Sequence, residues 1–96
     1  MATLMIEYQL PTGVVPDFAE WKQVFDSDPV GRKAHGATRH RIDQEPGDPN
    51  HFLVSIEFPS VEQARGFLDE PMLRRSWEVS GAGRAWVLEE AEAVAY

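Results

Sequence analysis

The sequence predicts an α+β fold whose elements follow the order strand, helix, strand, strand, helix, strand. Three observations support this prediction: side chains alternate with period 2 in four segments, apolar residues recur at helical spacing between them, and a dense turn signal lies in mid-chain. At 96 residues, the chain fits one domain spanning residues 1–96, because single domains commonly contain about 100–150 residues.

Residues 3–10 form the first predicted strand, because apolar and polar side chains alternate along them. One side of this strand carries Leu4, Ile6, Tyr8 and Leu10. The segment Pro-Thr-Gly at 11–13 ends the strand, since proline cannot donate to a ladder and glycine accepts unusual backbone angles.

The first predicted helix follows directly. Pro16 and Asp17 suit its first turn, where proline loses no hydrogen bond and a carboxylate meets the positive end of the helix dipole. Phe18, Trp21 and Phe25 then recur at i, i+3 and i+7, which predicts an amphipathic helix of about ten residues.

A β-hairpin is predicted next, from alternation in residues 37–44 and 51–58. The segment between them, Glu-Pro-Gly-Asp-Pro-Asn at 45–50, is rich in turn-forming residues. In the second strand Phe52, Val54, Ile56 and Phe58 share one face, which is the natural face for the helices. The remaining question is which residues of the two strands face each other.

The register of this hairpin stays open at the level of sequence. If Gln44 pairs with His51, the other face carries polar side chains interspersed with apolar ones. These are Thr38, His40, Ile42, Leu53, Ser55 and Glu57. A shift of one residue places Arg39 and Arg41 on that face instead, because side chains alternate strictly between the two faces.

The second half of the chain predicts a helix with a break and then a final strand. Ser60 and Gln63 form a capping-box pattern at the start of the helix. Pro71 suits the first turn of a further helical segment, and the glycines within 80–83 are typical of the end of a helix. Residues 84–90 return to alternation and predict the last strand.

This order predicts the ferredoxin-like βαββαβ sandwich. We expect the helical crossovers to place parallel strands side by side and both helices on one face of the sheet. The other face is then bare. If it carries the apolar side of the first strand, or Trp86 and Leu88 from the last, it is a poor surface for water. A homodimer that pairs two bare faces resolves this, and a monomer that covers the face with its C-terminal tail is the alternative.

The composition excludes several classes of partner. Nine Lys and Arg against sixteen Asp and Glu give a net charge of −7, which argues against nucleic acid and against an anionic membrane surface. The chain has no cysteine, so disulfides, thiolate metal sites and cysteine nucleophiles are excluded. No histidine–carboxylate cluster has the spacing of a metal site. Without a signal-peptide pattern or an apolar run of about 20 residues, we expect a cytoplasmic protein.

His40 is the leading candidate for proton transfer, because an unperturbed histidine has a pKa of about 6.5 and exchanges a proton at neutral pH. Glu57 is the candidate partner, either orienting His40 or holding a substrate hydroxyl. The competing interpretation makes His40 an ordinary hydrogen-bonded strand residue and Glu57 a solvated or salt-bridged carboxylate.

Four further residues are candidates for ligand contacts. Tyr8 and Trp86 would form the wall of a pocket, since each has a large apolar surface and a polar atom that needs a partner when buried. Arg39 would steady a developing negative charge. His35, in a loop bracketed by glycines, would stand at the pocket rim. Core packing, a dimer contact or a solvated loop is the alternative in each case.

Segments 18–25 (FAEWKQVF), 48–51 (DPNH) and 58–68 (FPSVEQARGFL), together with Gly36, give the sequence a resemblance to the dimeric α+β barrel superfamily. That superfamily includes antibiotic-biosynthesis monooxygenases, small polyketide cyclases and heme-degrading monooxygenases. The resemblance implies two sheets that close into a barrel, with a pocket between the sheet of each protomer and its helices.

The resemblance also narrows the activity. Heme-degrading members use an asparagine, a tryptophan and a helix histidine, whereas here Asn50 lies in the hairpin turn and no histidine follows His51. We therefore expect no cofactor, and a small enzyme that acts as a monooxygenase or cyclase on a hydrophobic aromatic or polyketide-like molecule. The alternative is a non-catalytic dimer that binds a small ligand or serves as an accessory protein.

Overall fold

The computed structural model describes residues 1–11, 17–80 and 82–96. In chain order their elements are β1 (Ala2–Gln9), α1 (Phe18–Ser27), β2 (Arg39–Glu45), β3 (Asp48–Phe58), α2 (Val61–Leu68), α3 (Pro71–Ser80) and β4 (Ala82–Glu89). The predicted α+β class and ferredoxin-like order are confirmed, with α2 and α3 together forming the second crossover. The predicted roles of Pro16 and Gly81 lie outside the described residues.

The four strands form one sheet in the order β2-β3-β1-β4, and each neighbouring pair is antiparallel. The expectation that parallel strands lie side by side was therefore wrong. Each helical crossover leaves room for one strand of opposite direction, so β3 lies between β1 and β2, and β1 lies between β3 and β4. The two central strands are β1 and β3.

The helices cover one face of the sheet and form the core with it. Leu4, Ile6 and Tyr8 of β1 are at most 4% exposed, and Trp21 and Phe67 pack over them from α1 and α2. On β3 the predicted apolar face is confirmed: Phe52, Val54, Ile56 and Phe58 are all buried. The apolar side of β1 thus belongs to the core and not to the bare face.

The opposite, helix-free face is formed by the alternate residues of all four strands. Its apolar side chains are Met5, Leu53, Trp86 and Leu88, and Trp86 lies directly beside Met5 in the β1–β4 register. The polar ones include Thr3, Glu7, Arg39, Arg41, Asp43, Ser55, Glu57 and Arg84. The predicted contribution of Trp86 and Leu88 to this face is confirmed.

The hairpin between β2 and β3 turns at Pro46 and Gly47, and Gly47 has a φ of 86°. Glu45 pairs with Asp48, but the register then shifts so that Gln44 pairs with Phe52 rather than with His51. The extra residues 49–51 therefore belong to β3 alone. Of the two registers left open by the sequence, the structure has the one that places Arg39 and Arg41 on the helix-free face.

Side chains cap the helices as their sequences predict. Asp17 Oδ1 accepts a hydrogen bond from the backbone N–H of Glu20 at 3.0 Å at the start of α1. At the start of α2, Ser60 Oγ accepts from the N–H of Gln63 at 3.2 Å and donates to Gln63 Oε1 at 3.1 Å. Each cap satisfies a backbone donor that has no partner within its helix.

Gly36 and Gly47 give a matched pair of substitutions. Both have positive φ, at 94° and 86°, so alanine at either position should lower the free energy of unfolding by about 1–2 kcal/mol. A Cβ at residue 36 would also lie 2.5 Å from Gln63 Nε2, whereas none of the described atoms lies within 4 Å at residue 47. In urea denaturation we expect Gly36→Ala to lower the free energy of unfolding more than Gly47→Ala does. The new methyl group would push the Gln63 side chain away and break its hydrogen bond with Ser60. Equal losses of unfolding free energy in the two variants would contradict this explanation. So would a difference between them that persists when Gln63 is also replaced by alanine.

Candidate functional site

A cavity of about 200 Å³ lies between the sheet and the helices. Its wall is mostly apolar, because β1 and β3 present alternate residues to the aromatic stripe of α1 and to α2 and α3. The apolar lining includes Ile6, Trp21, Phe25, Phe67 and Leu73, and the polar lining is Tyr8, Asp28, Arg32 and Ser76. An apolar hollow with a few polar groups is the usual form of a small-molecule site. We call it the helix–sheet cavity.

Tyr8 presents its hydroxyl group at this cavity. Its ring stacks on Phe52 at 5.1 Å between centroids and meets Trp21 edge-on at 5.0 Å, so its position is fixed by packing. Burial raises the pKa of Tyr8 to about 12, against the opposing effects of the Trp77 and Trp21 indoles and the charge of Arg32. Tyr8 therefore stays protonated at neutral pH and can donate a hydrogen bond.

The indole of Trp77 provides a second donor close to the same place. Its Nε1 is buried and has no hydrogen-bond partner among the described residues, although it is near enough to Tyr8 to affect the pKa of that hydroxyl. A buried donor without a partner costs about 1–3 kcal/mol. Trp77 itself is not part of the wall of the helix–sheet cavity.

Arg32 is held rigidly at the edge of the helix–sheet cavity. Its Nη1 donates to the carbonyl of Phe25 at 2.9 Å and lies 3.4 Å from Asp28 Oδ1, and its guanidinium carbon is 3.7 Å from the centroid of the Phe25 ring. Asp28 adopts the left-handed conformation at the end of α1 and also accepts from the N–H of Arg32 at 2.8 Å. Only 15% of the Arg32 side chain is exposed.

A second hollow of about 290 Å³, the outer cleft, adjoins this arginine. It is lined by Asp28, Arg32, Lys33, Ala37, Thr38, Arg39, His40 and Ile56. Because Asp28, Arg32 and Ile56 line the helix–sheet cavity as well, the two hollows share a wall. The outer cleft is the more open of the two, and aromatic rings form much of the wall of the inner cavity.

His40 lies in the outer cleft and meets the edge of the Phe25 ring at 5.0 Å. Partial burial lowers the pKa of His40, and the positive charges of Arg32 and Lys22 lower it further against the opposing Asp26 and Asp28. The imidazole is therefore neutral at pH 7. A neutral imidazole can accept a proton.

His40 and Glu57 both border a hollow of about 360 Å³ at the helix-free face, but their positions in the strands face opposite sides of the sheet. His40 pairs with Ile56 and faces the helices, whereas Arg39 pairs with Glu57 and both face the other way. Arg39 Nε lies 3.2 Å from Glu57 Oε2. The pairing of His40 with Glu57 depended on the register that the structure does not have.

The other two predicted contact residues lie away from the helix–sheet cavity. His35 Nδ1 is 2.8 Å from the carbonyl of Gly31, its ring meets Phe67 edge-on at 5.2 Å, and Nε2 is 3.5 Å from Glu70 Oε2, so it braces the 28–38 loop against α2 and α3. Trp86 lies on the helix-free face, with the guanidinium carbon of Arg84 at 4.6 Å from its ring centroid.

From the sequence, Arg32 was not selected as a site residue, and Trp77 was expected to be a core or dimer contact rather than a surface that stacks on a ligand. A local signal for Arg32 was present, because Asp28 and Arg32 are four residues apart and both lie within seven residues of the aromatic Phe25. Trp77 had no such signal. The position of its N–H follows from the packing of Trp77 against the core, which joins segments distant in sequence.

His51 links three segments on the helix-free face. Its Nδ1 lies 2.8 Å from Glu45 Oε2 and its Nε2 lies 3.0 Å from Glu7 Oε2. Hydrogen bonds to Glu45 and to Glu7 raise the pKa of His51. The imidazolium thus connects the hairpin turn to the centre of the sheet.

The described residues, 1–11, 17–80 and 82–96, contain neither a metal-binding cluster nor a membrane-spanning helix. No cluster of three or more histidine, cysteine or carboxylate side chains there is arranged to hold a metal ion. No helix in the same ranges combines the length and apolar character needed to cross a bilayer.

Comparison with solved structures shows what the chain is similar to. A variant of SnoaB, a cofactor-independent oxygenase from Streptomyces nogalater, superposes with a TM-score of 0.75 at 13% identity, over 97% of this chain and 95% of SnoaB. A protein from Deinococcus radiodurans that is assigned provisionally to the antibiotic biosynthesis monooxygenases superposes with a TM-score of 0.69 at 14% identity. The match covers 100% of this chain and 98% of that protein.

A variant of MhuD with two manganese protoporphyrin IX molecules bound per active site gives a TM-score of 0.62 at 15% identity, over the whole of both chains. Neither a protein-family model nor a curated protein sequence matches this chain. The resemblance to dimeric α+β barrel proteins is thus confirmed at the level of the fold.

The His51 contacts predict a specific dependence of stability on pH. Because the pKa of His51 is raised in the folded state, its contribution is fully present below the unfolded pKa of about 6.5 and is lost as pH rises through the higher folded value. We expect His51→Gln to destabilise the protein at about pH 6 and much less at about pH 8.5, as measured by urea denaturation. Glu45→Gln should weaken the same dependence. An unchanged pH profile in His51→Gln would contradict the assignment.

Proposed function

Because the chain shares its fold with the cofactor-independent oxygenase SnoaB, we propose that it is a small cofactor-independent enzyme, monooxygenase-like or cyclase-like. Its substrate is a hydrophobic aromatic or polyketide-like molecule bound in the helix–sheet cavity. The observation that carries the proposal is the protonated Tyr8 in the wall of this apolar cavity, with the buried indole N–H of Trp77 close to its hydroxyl.

These donors suit a reaction in which negative charge develops on a substrate oxygen. When a phenol or an enolisable ketone loses a proton, its oxygen becomes anionic and the adjacent ring carbons become electron-rich. Fixed donors in a dry site stabilise that anion without the reorganisation that water requires. Tyr8 would bind the oxygen, with the Trp77 N–H close to the same hydroxyl, and the rings of Trp21 and Phe25 would hold the substrate plane.

His40 is the proposed proton acceptor. Its lowered pKa keeps it neutral at pH 7, and its contact with Phe25 places it at the side of the helix–sheet cavity that adjoins the outer cleft. Arg39 also lines this cleft. Glu57 has no part in this centre, because it faces the opposite side of the sheet and pairs with Arg39.

The size of the cavity limits the substrate. About 200 Å³ lies below the range of about 300–1,000 Å³ that is typical of ligand pockets. A molecule of one or two fused rings fits this volume. A larger substrate would extend past Arg32 into the outer cleft, which adds about 290 Å³.

We further propose that two copies pair through their helix-free faces. Met5, Leu53, Trp86 and Leu88 form an apolar patch there, and Leu88 is 49% exposed. Charged side chains such as Arg41 and Asp43 surround the patch, as is usual at the rim of an interface. Pairing two such faces removes the patch from water.

A non-catalytic, ligand-binding protein is the second candidate function. It is favoured by the state of Tyr8, the titratable group most deeply placed in the cavity wall, whose raised pKa prevents it from acting as a base. His40 stands outside that wall. In this case the Tyr8 hydroxyl recognises a ligand oxygen and no proton is removed.

Tyr8→Phe distinguishes the two candidates. With dihydroxynaphthalenes as substrates and oxygen uptake or product absorbance as readout, we expect kcat to fall about 100-fold, the usual effect of removing one oxyanion donor. Tyr96→Phe makes the same chemical change at a fully exposed residue and should leave kcat unchanged. Binding of these compounds without turnover in the unaltered protein would favour the ligand-binding candidate.

The same assay tests the base. The kcat/KM of the unaltered protein should decline at acidic pH as His40 becomes protonated, at a pH below the ordinary histidine value of about 6.5 because its pKa is lowered. This acidic limb should disappear in His40→Gln together with most of the activity. A limb that persists would assign the proton transfer to another group.

Leu88→Arg tests the dimer. The unaltered protein should sediment at about twice the monomer mass at micromolar concentration, and Leu88→Arg should shift it to the monomer, since a charge buried in an apolar interface is strongly unfavourable. Met72, on α3, is 50% exposed against 49% for Leu88, so Met72→Arg is a matched control that should remain dimeric. A monomeric unaltered protein would contradict the interface.

A further inference from the structure

The outer cleft carries an excess of positive charge that the proposed reaction does not use. Its lining contains Arg32, Lys33 and Arg39 against the single carboxylate Asp28. This composition is unusual in a chain of net charge −7. A cationic hollow on an acidic protein concentrates anions locally.

The ion pairs around the cleft leave about one positive charge uncompensated. Asp28 lies 3.4 Å from Arg32, and Glu57, from the other face, lies 3.2 Å from Arg39. Within the described ranges no such carboxylate contact is made by Lys33, which is exposed beside them. One surplus charge matches a monoanion such as a carboxylate.

Arg32 connects this charge to the apolar site. Both of its polar contacts involve Nη1, and a guanidinium has five N–H donors, so donors remain for a ligand in the outer cleft. The same group lies flat against Phe25, which lines the helix–sheet cavity. A molecule in that cavity therefore has the guanidinium at its outer end.

The pKa of His40 reflects the same charges, with Asp26 and Asp28 opposing the cations. The charges of Arg32 and Lys22 both lower its pKa. Lys22 Nζ lies 2.6 Å from Asp26 Oδ1, so this lysine adds little net positive charge. The main source of the field is Arg32 itself.

We propose that the outer cleft is a carboxylate subsite, and that the ligand is an aromatic or other apolar acid. Its ring system occupies the helix–sheet cavity, and its carboxylate binds Arg32 and Lys33 in the outer cleft. The ring half of this inference rests on the proposed function, whereas the carboxylate half rests on the charges of the cleft.

A matched pair of probes tests the two halves separately. 2-Naphthoate and 2-naphthamide have the same ring and nearly the same shape, and they differ by one charge. Titration calorimetry at low salt should show naphthoate binding about tenfold more tightly, because hydrogen bonds to an anion are stronger than those to a neutral group. High NaCl should reduce this preference by screening.

Lys33→Gln should weaken the binding of naphthoate about fivefold, as expected for the loss of a partly exposed ion pair, and leave the binding of naphthamide unchanged. Arg65→Gln removes the same charge from an exposed position on α2 and should change neither. Lys33 is exposed, so this variant retains the fold, which its melting temperature would verify.

Two outcomes overturn the inference in different ways. Equal binding of the two probes, or equal effects of Lys33→Gln on both, would eliminate the carboxylate subsite and leave the apolar cavity in place. Failure of both probes to bind would overturn the cavity as a ring-binding site, and with it the proposed function and the subsite that depends on it.

Discussion

Strict alternation of side chains along β1 and β3, the two central strands, determines on which side of the sheet each of their residues lies. Tyr8 and Ile56 face the helices because Glu7 and Glu57 face away from them. A slip of one residue would exchange the two sets, burying carboxylates and exposing the core. The helix–sheet cavity, the outer cleft and the helix-free face all depend on this one assignment, since each takes part of its lining from β1, β3 or the strands paired with them.

The local part of this arrangement was predictable from sequence. The helices α1 and α2 follow from Trp21 and Phe67 at apolar spacing and from the caps at Asp17 and Ser60, all of which act within a few residues. The strands follow from alternation, and the break at Pro71 marks the start of α3. These signals are strong because a single turn of helix or a single pleat contains all the atoms involved.

The register of β2 on β3 was not predictable, because three residues after the turn belong to one strand only. This irregularity places Gln44 against Phe52 and Glu45 beside His51. Neither contact is visible in the spacing of residues 45–50. The candidate centre changed accordingly: Glu57 stayed on the helix-free face, and His40 moved to the face that the helices cover. Arg32 entered through its contacts with Phe25 and Asp28, and Trp77 through its place beside Tyr8.

The shared wall between the two hollows separates positions of different structural importance. Tyr8 and Trp21 are core residues whose replacement disturbs the whole molecule, whereas Lys33, Thr38 and Arg39 in the outer cleft are exposed. Substitutions at exposed positions usually alter stability by no more than about 0.5 kcal/mol. Divergent copies of such a protein can therefore acquire new ligand preferences by exchanging outer residues while inheriting the inner chamber unchanged, so that recognition evolves independently of the scaffold.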